Sequence, residues 1–167
     1  GARVVDVPRG NISQSRNMGA VAASGEVLVF ADADMVLSCH FTEKAADALD
    51  AGAVMAHCGI SFYDSSVWNM VLHFPALMTQ KGHSAGCIAI TAEAFSLLGG
   101  YDESCNMVAN GDCFEDRELG MRAIRTFGVE SIHVLPILVG ASARRFKRFG
   151  LLDGAGDLQQ EIGAAKD

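Results

Sequence analysis

Five apolar residues in a row, Val27-Leu28-Val29-Phe30-Ala31, run straight into Asp32-Ala33-Asp34. An apolar run with no polar alternation fits a strand buried on both faces, as in a parallel sheet covered by helices. In such sheets ligands bind beyond the carboxyl ends of the strands. That end carries two carboxylates one residue apart.

The rest of the chain fits around this strand. Val4 to Val7 reads as a short strand broken by the turn residues Pro8, Arg9 and Gly10. Asn11 is placed to cap a helix running to about Ser24, with the small residues Gly19, Ala20 and Ala23 allowing close packing on a sheet. Ser38 caps a second helix whose inner face is Phe41, Ala45, Ala48 and Leu49. Further strands are expected at Ala53 to Ile60, Ala85 to Ile90 and Ile132 to Leu138. Helices are expected at Ser66 to Met78, Thr91 to Leu98 and Phe114 to Phe127. Residues 101–113 read as a loop. The alternation predicts an α/β domain with a mostly parallel sheet flanked by helices.

Composition narrows the function. The chain has 167 residues, half of them hydrophobic, and a formal net charge of −7. One soluble domain is the expectation, and the acidic balance argues against nucleic acid as a partner. The five cysteines (Cys39, Cys58, Cys87, Cys105 and Cys113) show no C-x-x-C spacing. This predicts no zinc site and no disulfide framework, but mostly buried thiols in a reducing compartment. No leader pattern opens the chain, so a cytoplasmic location is expected.

Several residues invite chemistry. Asp32 and Asp34 offer the hard oxygen donors that Mg²⁺ or Mn²⁺ takes together with a diphosphate; the plainer reading is a solvated turn. Glu115-Asp116 opens a helix, where carboxylates suit the dipole; the functional reading is a general base. Gly99-Gly100-Tyr101-Asp102-Glu103 is a turn by composition, or a glycine pair that brings Asp102 to a ligand. Arg16-Asn17 is either an exposed helical face or a nucleotide contact. Arg144, Arg145, Lys147 and Arg148 are interleaved with Phe146 and Phe149. They are a solvated helix end, a diphosphate or anionic-acceptor site, or a contact for the anionic inner face of a membrane.

Taken in order, five stretches resemble the family 2 inverting glycosyltransferases of the GT-A fold. They are Ser15-Arg16-Asn17-Met18-Gly19-Ala20, Gly25 through Asp34, Gly99-Gly100-Tyr101-Asp102-Glu103, Glu115-Asp116-Arg117-Glu118-Leu119, and Ala141 through Phe146. The resemblance covers most of residues 3–150. It implies a partial catalytic domain over residues 1–150, with 151–167 as a C-terminal helix or tail. It also implies a nucleotide-sugar donor, a saccharide or lipid-linked acceptor, and Mg²⁺ or Mn²⁺. By the same resemblance, Asp34 binds the metal and Asp32 the metal or ribose. Arg16 and Asn17 line the donor site. Asp102, Glu115 and Arg145 approach the acceptor or sugar, and Asp116 is the catalytic base. Many relatives add a late histidine to the metal; His133 is the nearest candidate.

The family's first strand-helix-strand unit is missing from the match. An uncovered edge at Val4 and Val5 would then favour self-association or a partner chain. Two other readings compete. Val27 to Val36 also resembles the first motif of haloacid-dehalogenase-like phosphatases, with Asp32 as nucleophile and Asp34 as acid/base. A degenerate, non-catalytic binding domain is the third.

Overall fold

The computed structural model describes residues 2–7, 10–63, 81, 87–105 and 114–142. Expectations for Ser66 to Met78, for residues 106–113, for the basic cluster Arg144 to Arg148 with Arg145, and for the 151–167 tail lie outside these residues. Val4 to Val7 forms no strand, and Val4 is exposed. The edge argument built on Val4 and Val5 therefore loses its strand.

Helix α1 spans Ile12–Ala22, and the Asn11 side chain accepts from the Gln14 amide at its start. Strand β1 (Val27–Ala31) follows, then α2 (Phe41–Asp50) and β2 (Met55–Phe62). Strand β3 is Cys87–Thr91, and α3 is Ala92–Leu97, capped by the Thr91 hydroxyl. Helix α4 is Glu115–Phe127, and a 3-10 turn at Val129–Ser131 leads into β4 (Ile132–Ala141). Ser38 does not cap α2. Its carbonyl and hydroxyl make a turn to Phe41 and His40, and the helix proper starts at Phe41.

The described strands form one sheet in the order β1-β3-β2-β4. β2 pairs with β4 in parallel, while β3 runs antiparallel to both β1 and β2. The mostly parallel sheet expected from the sequence is therefore a mixed one. The reason is β3, which enters between β1 and β2 against their direction. β1, β2 and β4 themselves share one direction, so their carboxyl ends lie along one edge.

Side-chain alternation sorts the core onto the two faces. Ala56, Cys58, Cys87 and Ala89 point toward α2, joining Phe41, Ala45 and Leu49. Met55, Ile88 and Ile90 point toward α3 and α4, joining Phe95, Leu119 and Ala123. The two central strands, β2 and β3, are buried nearly throughout. β1 alternates instead: Leu28 and Phe30 are buried, while Val29 is 42% exposed. Its continuous apolar run predicts two-sided burial, but at the end of the sheet order one face stays open. With Gly19 and Ala20 of α1, and Ala23 just past its end, β1 walls a groove of about 300 Å³ that has Arg16 in its lining.

Candidate active site

The acidic turn is held from both sides. The Met35 amide donates to the Asp32 carbonyl, and Val36 and Gly140 exchange two backbone hydrogen bonds of 2.8 and 2.9 Å. The Tyr63 hydroxyl donates to the Asp34 carbonyl at 3.3 Å. There is little room beside Gly140. A Cβ on it would lie 3.3 Å from the Tyr63 ring and 3.4 Å from the Val36 Cβ. Asp32 and Asp34 thus stand just past the carboxyl end of β1, where the sequence placed them.

Arg16 of α1 reaches this point. Its guanidinium donates to Asp32 Oδ1 at 2.8 Å and to Asp116 Oδ1 at 2.5 Å, with Glu115 Oε1 3.8 Å away. Residues 16, 32 and 116 therefore meet around one cation. Burial works to strip Arg16 of its charge, but Asp116, Tyr101 and Asp32 outweigh it and hold the guanidinium firmly protonated. Its head also lies 5.1 Å from the Tyr101 ring centre, a cation–π contact.

Asp116 lies in the first turn of α4 and is 8% exposed. The Tyr101 hydroxyl donates to the same Oδ1 at 3.0 Å. Burial raises the Asp116 carboxyl above the ordinary range. Arg16 and the Tyr101 hydroxyl pull against this, and Glu115 and Asp32 add to it. A carboxylate moved upward in this way is a better proton acceptor. Glu115 is equally buried, and its Oε2 has no hydrogen-bond partner among the described residues. A buried carboxylate oxygen without a partner is costly; a ligand hydroxyl or amide arriving at this point would satisfy it.

Tyr101 carries no role in the sequence reading, yet it organises the centre. It is buried edge-on against Phe30, with ring centres 5.2 Å apart, and beside Phe95. Burial first, then Asp116, pushes its hydroxyl well above the usual phenol range despite Arg16, so it stays a proton donor. Its backbone is clamped by Asn17. The Asn17 Oδ1 accepts from the Tyr101 amide at 2.8 Å, and Nδ2 donates to the Tyr101 carbonyl at 2.9 Å. Nδ2 also reaches Glu103 Oε1 at 3.1 Å. Gly100 makes this clamp possible. Its φ is +77°, and a Cβ there would stand 2.7 Å from Asn17 Oδ1. Arg122 of α4 donates to the Gly100 and Leu98 carbonyls and fixes the same turn. An aromatic residue directly after two glycines was the available sequence signal.

Other candidates fall elsewhere. Asp102 is exposed and turned into its own loop, accepting from the Ser104 amide and hydroxyl, which lower its carboxyl. It forms no ion pair with Arg16 among the described residues. His133 cannot join a metal at Asp32. It pairs with Ala56 of β2, which pairs with Ala89 of β3, which pairs with Val29 of β1. That places it three strands away, about 14 Å across the sheet, and short of the carboxyl edge. Cys105 is disulfide-bonded and Cys39 is an exposed thiol, where mostly buried thiols and no disulfide framework were expected.

Among the described residues no three His, Cys, Asp or Glu side chains converge as a ready-made metal cage. Two carboxylates at a strand end still suit Mg²⁺ or Mn²⁺. These ions take few protein oxygens and complete their sphere with phosphate and water.

Solved structures share this fold. Glucosyl-3-phosphoglycerate synthase from Mycobacterium tuberculosis, in complex with Mn²⁺, UDP-glucose and phosphoglyceric acid, superimposes with a TM-score of 0.57 at 17% identity. The match covers 86% of this chain and 51% of that one. The same enzyme with Mg²⁺ and UDP gives 0.54 at 16% identity, over 81% and 47%. A mycobacterial protein gives 0.54 at 17% identity, over 85% and 48%. The chain thus has their fold and spans about half their length. No curated protein sequence matches it. The model of the family described as glycosyl transferase family 2 matches residues 1–99, more than half of the chain. The chain belongs to glycosyl transferase family 2.

Proposed function

We propose that this chain forms the donor and metal half of a transferase. It would move a sugar from a nucleotide-diphosphate sugar to an acceptor hydroxyl, with inversion at the anomeric carbon. The observation that carries this reading is the meeting of Arg16, Asp32 and Asp116 at the carboxyl edge of the sheet. Family membership and structural neighbours crystallised with UDP-glucose support it.

Asp32 and Asp34 would hold Mg²⁺ or Mn²⁺, which supplies charge neutralisation for a departing diphosphate. Arg16 neutralises Asp32 and Asp116 and faces the groove beside β1 as part of the donor site. Asp116 takes the proton of the attacking hydroxyl. Tyr101 holds the base, and Glu115, with its unsatisfied oxygen, binds the acceptor or sugar hydroxyls. Asp102 and Arg145 belong to the acceptor side by resemblance to the family. Asn17 supports the site by holding Tyr101. The phosphatase reading of Asp32 loses its ground to the family match.

Contact of the Arg144–Arg148 cluster with an anionic inner membrane face in the cytoplasm remains a proposal, as does self-association. Vesicle co-sedimentation and light scattering test them. Asp116→Asn tests the central reading. It keeps the shape of the side chain and removes its basicity, so turnover should fall by about 10² or more with donor affinity little changed. Undiminished turnover rejects Asp116 as the base. Donor binding without any turnover in the parent protein would favour a non-catalytic binding domain instead.

A further inference from the structure

The β2–β3 ladder places two thiols face to face. Its register, Met55 with Ile90, Ala56 with Ala89 and His57 with Ile88, ends one step short of Cys58 and Cys87, the next residues along the two strands. Both side chains lie in the same buried cluster, on the face shared by Ala56 and Ala89. Directly opposed residues of an antiparallel pair have Cα atoms roughly 4.5–5.5 Å apart, within the roughly 4.4–6.8 Å range that a disulfide spans. The neighbouring Cys87 sulfur lowers the Cys58 thiol against the effect of burial, while Cys58 and burial raise the Cys87 thiol. Neither cysteine is in a disulfide in this structure.

From this juxtaposition, we propose that Cys58 and Cys87 are a modification site: a dithiol that a small-molecule disulfide converts to an intrachain cross-strand disulfide. The Cys58 thiolate attacks one sulfur of the oxidant and expels the first thiolate. The Cys87 sulfur then attacks the Cys58 sulfur of the mixed disulfide and expels the second. The protein loses two hydrogens and two electrons, and the oxidant gains both as two thiols. Burial alone would keep these sulfurs inert. The local backbone supplies the opening: the β2–β4 register shifts between Cys58 and Gly59, and the regular β2–β3 pairing stops at His57 and Ile88. Ladder ends and bulges open at lower cost than strand centres. Cys87 pairs with Ala31, the residue before Asp32, so the new bond would tie β2 and β3 directly behind the acidic turn.

The test uses the full chain in glutathione buffers of rising oxidised fraction, quenched with acid, denatured, alkylated and mapped by mass spectrometry. The exposed Cys39 gauges the oxidant by taking up glutathione. The expected result is loss of alkylation at Cys58 and Cys87 together, with one linked peptide pair two hydrogens lighter and restored by dithiothreitol. In Cys87→Ser the link should vanish, leaving Cys58 alkylated or bearing glutathione. Full alkylation of both cysteines when Cys39 is already modified overturns the proposal. So does a link from Cys58 to any other cysteine. Neither outcome depends on the transferase reading.

Discussion

Removing the Arg16 charge should unmask what it balances. In Arg16→Met the side chain keeps an unbranched apolar stem but loses the guanidinium, so Asp116 and Asp32 lose their shared counter-ion. The two contacts are unequal. The Asp116 contact joins side chains that are each 11% exposed, whereas the Asp32 side chain is 37% exposed. Losing one partner of a buried pair costs about 3–5 kcal/mol, and the wetter Asp32 contact adds about 0–1 kcal/mol after solvent screening. The Tyr101 hydroxyl remains on Asp116 and offsets part of this, so a loss of about 3 kcal/mol near neutral pH is expected. For a chain of this size that is a fall in Tm of roughly 6–12 °C. The sign with pH follows from Asp116. Its carboxyl is already raised in the folded state, and loss of Arg16 raises it further. A group raised by folding stabilises the protein below its unfolded pKa, and that contribution disappears as pH rises through the folded value. The variant should therefore recover much of its deficit when acidified toward about pH 4. Urea unfolding of parent and variant at both pH values measures this. Equal stability near neutrality, or a deficit that does not change with pH, would refute the idea that Arg16 neutralises a buried Asp116 carboxylate.

The remaining substitutions probe neighbouring parts of the site. Tyr101→Phe removes the hydroxyl on Asp116; it should cost about 1–2 kcal/mol and move the acid limb of the rate profile upward. An unmoved limb would show that Tyr101 does not tune the base. Gly100→Ala forces a Cβ against Asn17 at a φ of +77°, so thermal unfolding should show a loss of about 1–3 kcal/mol. A parent-like melting curve would mean that the clamp is dispensable. Asp34→Ala should abolish calorimetric binding of Mn²⁺ with a nucleoside diphosphate, and unchanged affinity would remove Asp34 from the metal site. Gly140→Val should disturb Tyr63 and Val36 and weaken the same binding several-fold; parent-like affinity would separate that backbone bridge from the metal site.

The elements that sequence alone located are those with strong local signals. Asn11 caps α1 as its side chain requires, and Leu119 and Ala123 turn inward on α4. Asp32 and Asp34 follow the strand that the apolar run predicted. What the sequence did not disclose depends on neighbours. The direction of β3 is set by its partners and not by Cys87–Thr91 itself, so a mixed sheet looked parallel. Val29 is as apolar as Phe30, and only the face of β1 on which it stands leaves it exposed. His133 looked like a late ligand until the register put it far from Asp32. Tyr101 matters through contacts with residues 17, 16 and 116, and no local pattern encodes such a meeting.

The Asn17 clamp gives the site a built-in reporter. The Tyr101 amide belongs to no helix or strand, and its hydrogen bond runs to a side chain of α1. Its exchange with deuterated solvent is therefore slowed only while α1 and the Gly100 turn stay docked. A loop amide that exchanges as slowly as the core strand β3 would mean that Asp116 and Arg16 part only with the whole fold. One that exchanges much faster would mean that α1 and the Gly100 turn separate while the sheet remains intact. That single rate would measure how rigidly the two halves of the centre are joined before any ligand arrives.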